Sequence, residues 1–106
     1  MFQKKQSKYG NIKTRVDGFL FDSRRESLRY KELNILEKNG NIEHLQMQVP
    51  YQIEVNGIKI CKYVCDFRYL EKDRMVVEDC KGMKTSVYQL KKKLMKACFG
   101  ITILET

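Results

Sequence analysis

Proline occurs once and glycine six times in the 106 residues, and no low-complexity tract or internal repeat interrupts them. So few chain breakers, with a 42% hydrophobic composition, exclude a disordered chain and favour regular elements around one modest core. A second domain does not fit in this length. Long apolar runs are missing as well. No stretch approaches the roughly 20 residues that span a bilayer, and Met1-Phe2-Gln3-Lys4-Lys5-Gln6 lacks the apolar segment of a secretory leader. The expectation is a cytoplasmic protein with no membrane partner. Histidine occurs once, at His44, and the four cysteines, Cys61, Cys65, Cys80 and Cys98, form no CxxC pair. Zinc coordination, a disulfide framework and Cys-His or Ser-His nucleophilic catalysis are therefore disfavoured, and the thiols read as small buried hydrophobes in a reducing compartment. Acids are the minority charge. Thirteen Asp and Glu against twenty-one Lys and Arg leave +8, which suits a polyanionic partner such as nucleic acid.

Residues 1–11 are polar and basic and read as a flexible arm, followed by one domain over 12–106. Lys13 to Phe21 reads as a short hairpin turning at Asp17-Gly18. Ser23-x-x-Glu26 opens a helix that runs to Asn39, where Gly40 is the stop. Ile42 to Val49, with His44 as an ordinary strand residue, and Tyr51 to Val55 read as two strands separated by Pro50. An Asn56-Gly57 turn, a long strand from Ile58 to Leu70, the polar turn Glu71-Lys72-Asp73-Arg74 and a strand from Met75 to Lys81 follow. A second helix is predicted over Ser86 to Phe99, capped by Thr85 or Ser86 and ended by Gly100, with Val87, Leu90, Leu94 and Ala97 as its core stripe. A last strand covers Ile101 to Leu104. The predicted fold class is α/β, in the α+β sense of a mixed sheet flanked by helices.

The chemistry gathers in Val76-Val77-Glu78-Asp79-Cys80-Lys81-Gly82. On a strand, residues i and i+2 share a face, so Asp79 and Lys81 stand side by side while Glu78 and Cys80 point the other way. A carboxylate beside an ammonium suits metal-assisted phosphodiester cleavage, the acid holding a hard cation and the amine stabilising charge on a phosphate. A second acid, Asp66, lies in the otherwise apolar strand Tyr63-Val64-Cys65-Asp66-Phe67-Arg68 and is expensive there unless paired, ionised toward solvent or bound to metal. Two readings are open: a clamp with Asp79, or an ion pair with Arg68 at the sheet rim. Glu26 also has two readings. It completes a capping box with Ser23, yet it shares a helical row with Tyr30 and Leu33, which turns it toward the sheet.

From Lys81 to Lys96 there are six lysines and no acid, a cluster suited to a phosphate backbone. Lys91 falls by angle inside the apolar arc of its helix and either snorkels outward or leans over the strand end toward a phosphate. Arg24 and Arg25 add positive charge beside Glu26.

The segments Phe21-Asp22-Ser23-Arg24-Arg25-Glu26, Tyr63-Val64-Cys65-Asp66-Phe67-Arg68-Tyr69, Val77-Glu78-Asp79-Cys80-Lys81-Gly82 and Tyr88-Gln89-Leu90-Lys91-Lys92-Lys93 resemble the PD-(D/E)XK nuclease superfamily, and within it a family of small phage and prophage proteins. The resemblance covers nearly the whole chain after Lys8. It implies a restriction-endonuclease-like αβββαβ core and Mg2+- or Mn2+-dependent cleavage of DNA. Asp66 and Asp79 would be metal ligands, Glu26 a further acid acting directly or through water, and Lys81 the electrostatic group. Arg24, Arg25, Lys84, Thr85, Gln89, Lys91, Lys92 and Lys96 would meet the nucleic acid. Cys65 replaces the proline of the motif's name, and strand parity with Lys81 selects Asp79 over Glu78 as the motif acid. So small a body leaves little room for sequence reading, so branched or structured DNA such as a Holliday junction is the expected substrate, with a homodimer setting two sites on it. A phage-encoded member would work in the host cytoplasm. The competing class is a non-catalytic nucleic-acid-binding or protein-inhibitory module.

Overall fold

Chain reversals sit at residues with positive φ. The structure, a computed structural model describing residues 13–106, opens with β1 (Thr14–Val16) and β2 (Phe19–Phe21), joined at Asp17 and Gly18 with φ of 52° and 83°. The expected arm, residues 1–11, lies outside the described residues. Helix α1 (Arg24–Lys38) starts at Ser23, whose hydroxyl accepts from the Glu26 amide at 3.1 Å, and ends before Gly40, φ 80°. Strands β3 (Glu43–Val55) and β4 (Ile58–Glu71) pair antiparallel around Asn56 and Gly57, φ 53° and 80°. A second tight turn at Lys72 and Asp73, φ 52° and 65°, leads into β5 (Arg74–Asp79). Helix α2 (Ser86–Phe99) is capped by the Thr85 hydroxyl, which accepts from the Tyr88 amide at 3.1 Å, and closed by Gly100 at φ 70°. Strand β6 (Leu104–Glu105) returns parallel to β5. The mixed sheet runs β3-β4-β5-β6, and past the opening hairpin the elements follow the expected α-β-β-β-α-β order.

Four boundaries differ from expectation, each for a physical reason. Pro50 does not break a strand: β3 runs through it, with Pro50 opposite Val64, because β3 is the sheet edge and its missing donor costs no ladder bond. The irregularities of β3 are the positive φ values near 55° at His44 and Gln48 and the register shifts between Glu43 and Gln46 and between Ile53 and Glu54. Strand β5 begins at Arg74 and stops at Asp79, because the Cys80 amide donates to the Asp66 carboxylate at 2.8 Å instead of to a neighbouring strand. The last strand is Leu104–Glu105 and not Ile101 to Leu104, because the Ile101 amide is spent on the Met95 carbonyl at the end of α2.

The α2 stripe agrees in part: Leu94 packs against the core as expected, while Val87, Leu90 and Ala97 face solvent. Val87 and Leu90 are 60% and 57% exposed, and the helix turns Tyr88 and Met95 to the sheet. Between them the Lys91 and Lys92 stems lie half-buried on the same side, a case of long cationic side chains serving as apolar cover. Two cores result. Ile53, Tyr63, Cys65, Val77, Tyr88, Met95 and Ile103 pack around α2, while Phe21, Tyr30, Leu33, Ile42, Phe67 and Tyr69 pack around α1. Strand β4 passes from one core to the other between Cys65 and Phe67, at Asp66. Met95→Ala is expected to cost about 2–5 kcal/mol in chemical denaturation and Leu90→Ala less than about 1; comparable losses would show that the helix is rotated from this orientation.

Candidate acidic site and its basic rim

The seam between the cores is where the acids meet. Glu26 leaves the first turn of α1, Asp66 sits mid-β4 and Asp79 ends β5. Asp66 is within hydrogen-bonding reach of both Asp79 and Glu26, so the three carboxyl groups form a chain with Asp66 in the middle. Burial, then the Asp79 carboxylate beside it, pushes Asp66 up to about 9. Burial and the charge of Asp22 raise Glu26 as well. Lys81 joins them, its Nζ 3.4 Å from Asp79 Oδ1 and 4.4 Å above the Tyr88 ring. The four residues expected to form the site are therefore brought together. Arg68 does not pair with Asp66: it forks onto Gln46 Oε1 at 2.9 and 3.0 Å and donates to the Tyr51 hydroxyl.

Glu78 faces the other core, as its parity requires. It is fully buried, receives Arg29 Nε at 2.5 Å and Nη2 at 3.1 Å, and accepts from the Tyr69 and Thr106 hydroxyls at 2.6 and 2.9 Å. Such a set neutralises the charge and leaves it no chemistry.

The basic residues divide. Lys84, Gln89, Lys92, Lys93 and Lys96 line an open groove of about 540 Å³ between α2 and the segment Ile101 to Glu105. Within it Lys84 and Lys92 reach Glu105 at 3.0 and 3.1 Å, and Lys96 donates to the Thr102 hydroxyl at 3.1 Å. Lys91 leans over the sheet, but onto the Lys62 carbonyl at 2.9 Å. Thr85 is occupied as the cap of α2. Arg25 donates to the Thr106 carbonyl at 3.2 Å, while Arg24 is exposed on the same turn as Glu26.

A family described as a protein of unknown function (DUF1064) matches residues 6–102. The chain belongs to the DUF1064 family. No curated protein and no solved structure matches it.

Two residues of this DUF1064 chain enter the site unannounced by the sequence. The Tyr63 hydroxyl donates to Asp79 Oδ2 inside the α2 core, and the Gln48 amide donates to Glu26 Oε2 at 2.7 Å. Tyr63 stands three residues before Asp66 and looks like any strand aromatic. Gln48 reaches the acid from a strand position with φ 55°, a conformation that costs a non-glycine residue of order 1 kcal/mol and that no local pattern foretells.

As a metal site the arrangement is open. Among the described residues no group of three or more His, Cys, Asp or Glu side chains is set to enclose a metal ion. Asp66 and Asp79 supply adjacent hard oxygens, and magnesium commonly takes one or two carboxylates and fills its remaining positions with water and phosphate. The donor chemistry of the pair fits that ion.

The raised Asp66 has a consequence for the metal-free protein. Its ordinary value lies near 4, so between about 4 and 9 the folded chain keeps a proton that the unfolded chain has lost. Stability then falls as pH rises through this window, by at most about 1.4 kcal/mol per unit for one proton. Melting temperatures of the chelator-treated protein are expected to decline from pH 5 to 9, with a flatter profile in Asp66→Asn; a flat wild-type profile contradicts this description of the site.

Proposed function

We propose that the chain is a metal-dependent nuclease of the PD-(D/E)XK kind that hydrolyses phosphodiester bonds in DNA, selecting branched or otherwise structured substrates by shape. One observation carries the reading: Glu26, Asp66 and the Asp79-Cys80-Lys81 pair of charges, drawn from three separate stretches of chain, meet at the seam between two cores. The αβββαβ order and the +8 charge agree with it. Asp66 and Asp79 would hold a divalent cation, which when bound supplies charge neutralisation and polarises the phosphate. The chain's own groups do the rest. Tyr63 fixes the orientation of Asp79 through its hydroxyl. The Lys81 ammonium, steadied over Tyr88, stabilises charge developing on a phosphate oxygen or orients the attacking water. Glu26, held by Gln48, accepts a proton at the far end of the carboxyl chain.

A second reading, a binding or inhibitory module without turnover, draws on a specific observation. The buried side-chain polar atoms among the described residues all have partners, so the acids satisfy one another and neighbouring groups without a cation. Incubation with four-way-junction, flap, single-stranded and linear DNA in Mg2+ or Mn2+ separates the two. The nuclease reading expects cleavage that drops by at least about 100-fold in Asp79→Asn and in Lys81→Ala. Binding without cleavage in either metal supports the module instead, and cleavage that persists in both variants belongs to a contaminant.

A further inference from the structure

Glu105 is an acid in the wrong place for a simple basic groove. It enters from β6, and its carboxylate is gripped from the opposite wall: Oε1 by Lys84 at 3.0 Å, Oε2 by Lys92 at 3.1 Å and by the Tyr88 hydroxyl at 2.7 Å. Two ammonium groups and a hydroxyl converging on a pair of anionic oxygens are the donors that the non-bridging oxygens of a phosphate require. These donors hold Glu105 down to about 2, so it is an anion at any working pH. Lys84 and Lys92 are half-exposed, and ion pairs so placed add little to stability, so exchanging the carboxylate for another anion disturbs the fold little. Lys96 continues the wall one helical turn, about 6 Å, beyond Lys92. Among the described residues no aromatic ring lines the groove, so none of them stacks on a base there.

We infer that the groove between α2 and the Ile101 to Glu105 segment is a seat for the phosphate backbone of a nucleic acid, and that Glu105 is an internal occupant which the backbone displaces. The seat adjoins the acids: Tyr88, which donates to Glu105, also carries Lys81 over its ring, and Lys81 lies 3.4 Å from Asp79. A backbone resting on Lys84 and Lys92 therefore leads its next phosphates toward Lys81. Glu105 sets a threshold that a single phosphate meets poorly and a run of phosphates meets well, because only the run also engages Lys93 and Lys96.

This inference rests on the nucleic-acid side of the function proposed above and not on its hydrolytic side. Its test is therefore run in EDTA, where cleavage plays no part. Binding of a labelled 20-nucleotide strand and of the matching duplex is followed by fluorescence anisotropy across a salt series, with circular dichroism as the control for folding. Glu105→Gln frees two lysines and is expected to tighten binding at least 5-fold at low salt, steepening the log–log salt slope by roughly one to two units. Lys92→Ala is expected to weaken binding and flatten the slope. A folded Glu105→Gln protein with the wild-type slope, or a Lys92→Ala protein that binds as wild type does, overturns the inference. Inorganic phosphate separates the sources: displacement of the oligonucleotide only by polyphosphate or competing nucleic acid supports a backbone seat, and displacement by millimolar free phosphate refutes it. Loss of cleavage with this binding pattern intact would count against the nuclease reading alone.

Discussion

Burying like charges together is the constraint on which the rest of this small domain depends. Glu78 and Asp79 are neighbours on one strand and both are almost wholly buried, at 0% and 1% exposure, yet they are treated differently. Glu78 turns to the α1 core and receives a guanidinium and two hydroxyls, which offsets its desolvation internally. Asp79 turns to the α2 core and finds a phenol, a protonatable neighbour in Asp66 and a single ammonium at the edge. The first arrangement is closed. The second holds its charge with fewer cationic partners, and on the proposed function that difference between adjacent residues is what sets Asp79 apart from Glu78.

The same constraint explains where the site lies. A carboxyl chain from Glu26 through Asp66 to Asp79 needs backbone from three elements close together without a continuous apolar layer between them. The junction of the two cores supplies this. On β4 the change of core occurs at Asp66; on β5 Val76 packs with α1 and Val77 with α2; on β3 Met47 belongs with one core and Val49 with the other. Gln48, between those last two, takes the left-handed conformation and gives its amide to Glu26. Strain, burial and charge coincide at one place, a combination that natural folds tolerate chiefly where function requires it.

Much of the architecture is legible in short-range chemistry. Ser23, Thr85, Gly40 and Gly100 set the helix ends because capping is decided by three or four residues. The tight turns follow from Asp17-Gly18 and Asn56-Gly57 for the same reason. Asp66 is legible as an acid in an otherwise apolar strand, Asp79 and Lys81 as same-face neighbours at the end of an apolar run, and Glu26 as an acid on the helical row of Tyr30 and Leu33. What stayed hidden is decided at long range. Pro50 reads as a break until its strand is known to be the edge. Val87 and Leu90 read as core until Tyr88, with a hydroxyl partner in Glu105, and the stems of Lys91 and Lys92 are seen to cover the sheet instead. Glu105 gave no signal at all, since its lysines come from a different element.

The outer margin of β3 illustrates how a local irregularity protects the whole. Among the described residues this thirteen-residue strand pairs only with β4, and the outward N–H and C=O groups of such an edge are a template on which another chain could lay a strand and begin a fibril. Here the row is interrupted three times, by the imino nitrogen of Pro50 and by the reversed peptide orientations at His44 and Gln48, so no incoming strand finds more than a few donors and acceptors in sequence. The kink that delivers the Gln48 amide to Glu26 thus also leaves the long hairpin with a broken outer edge.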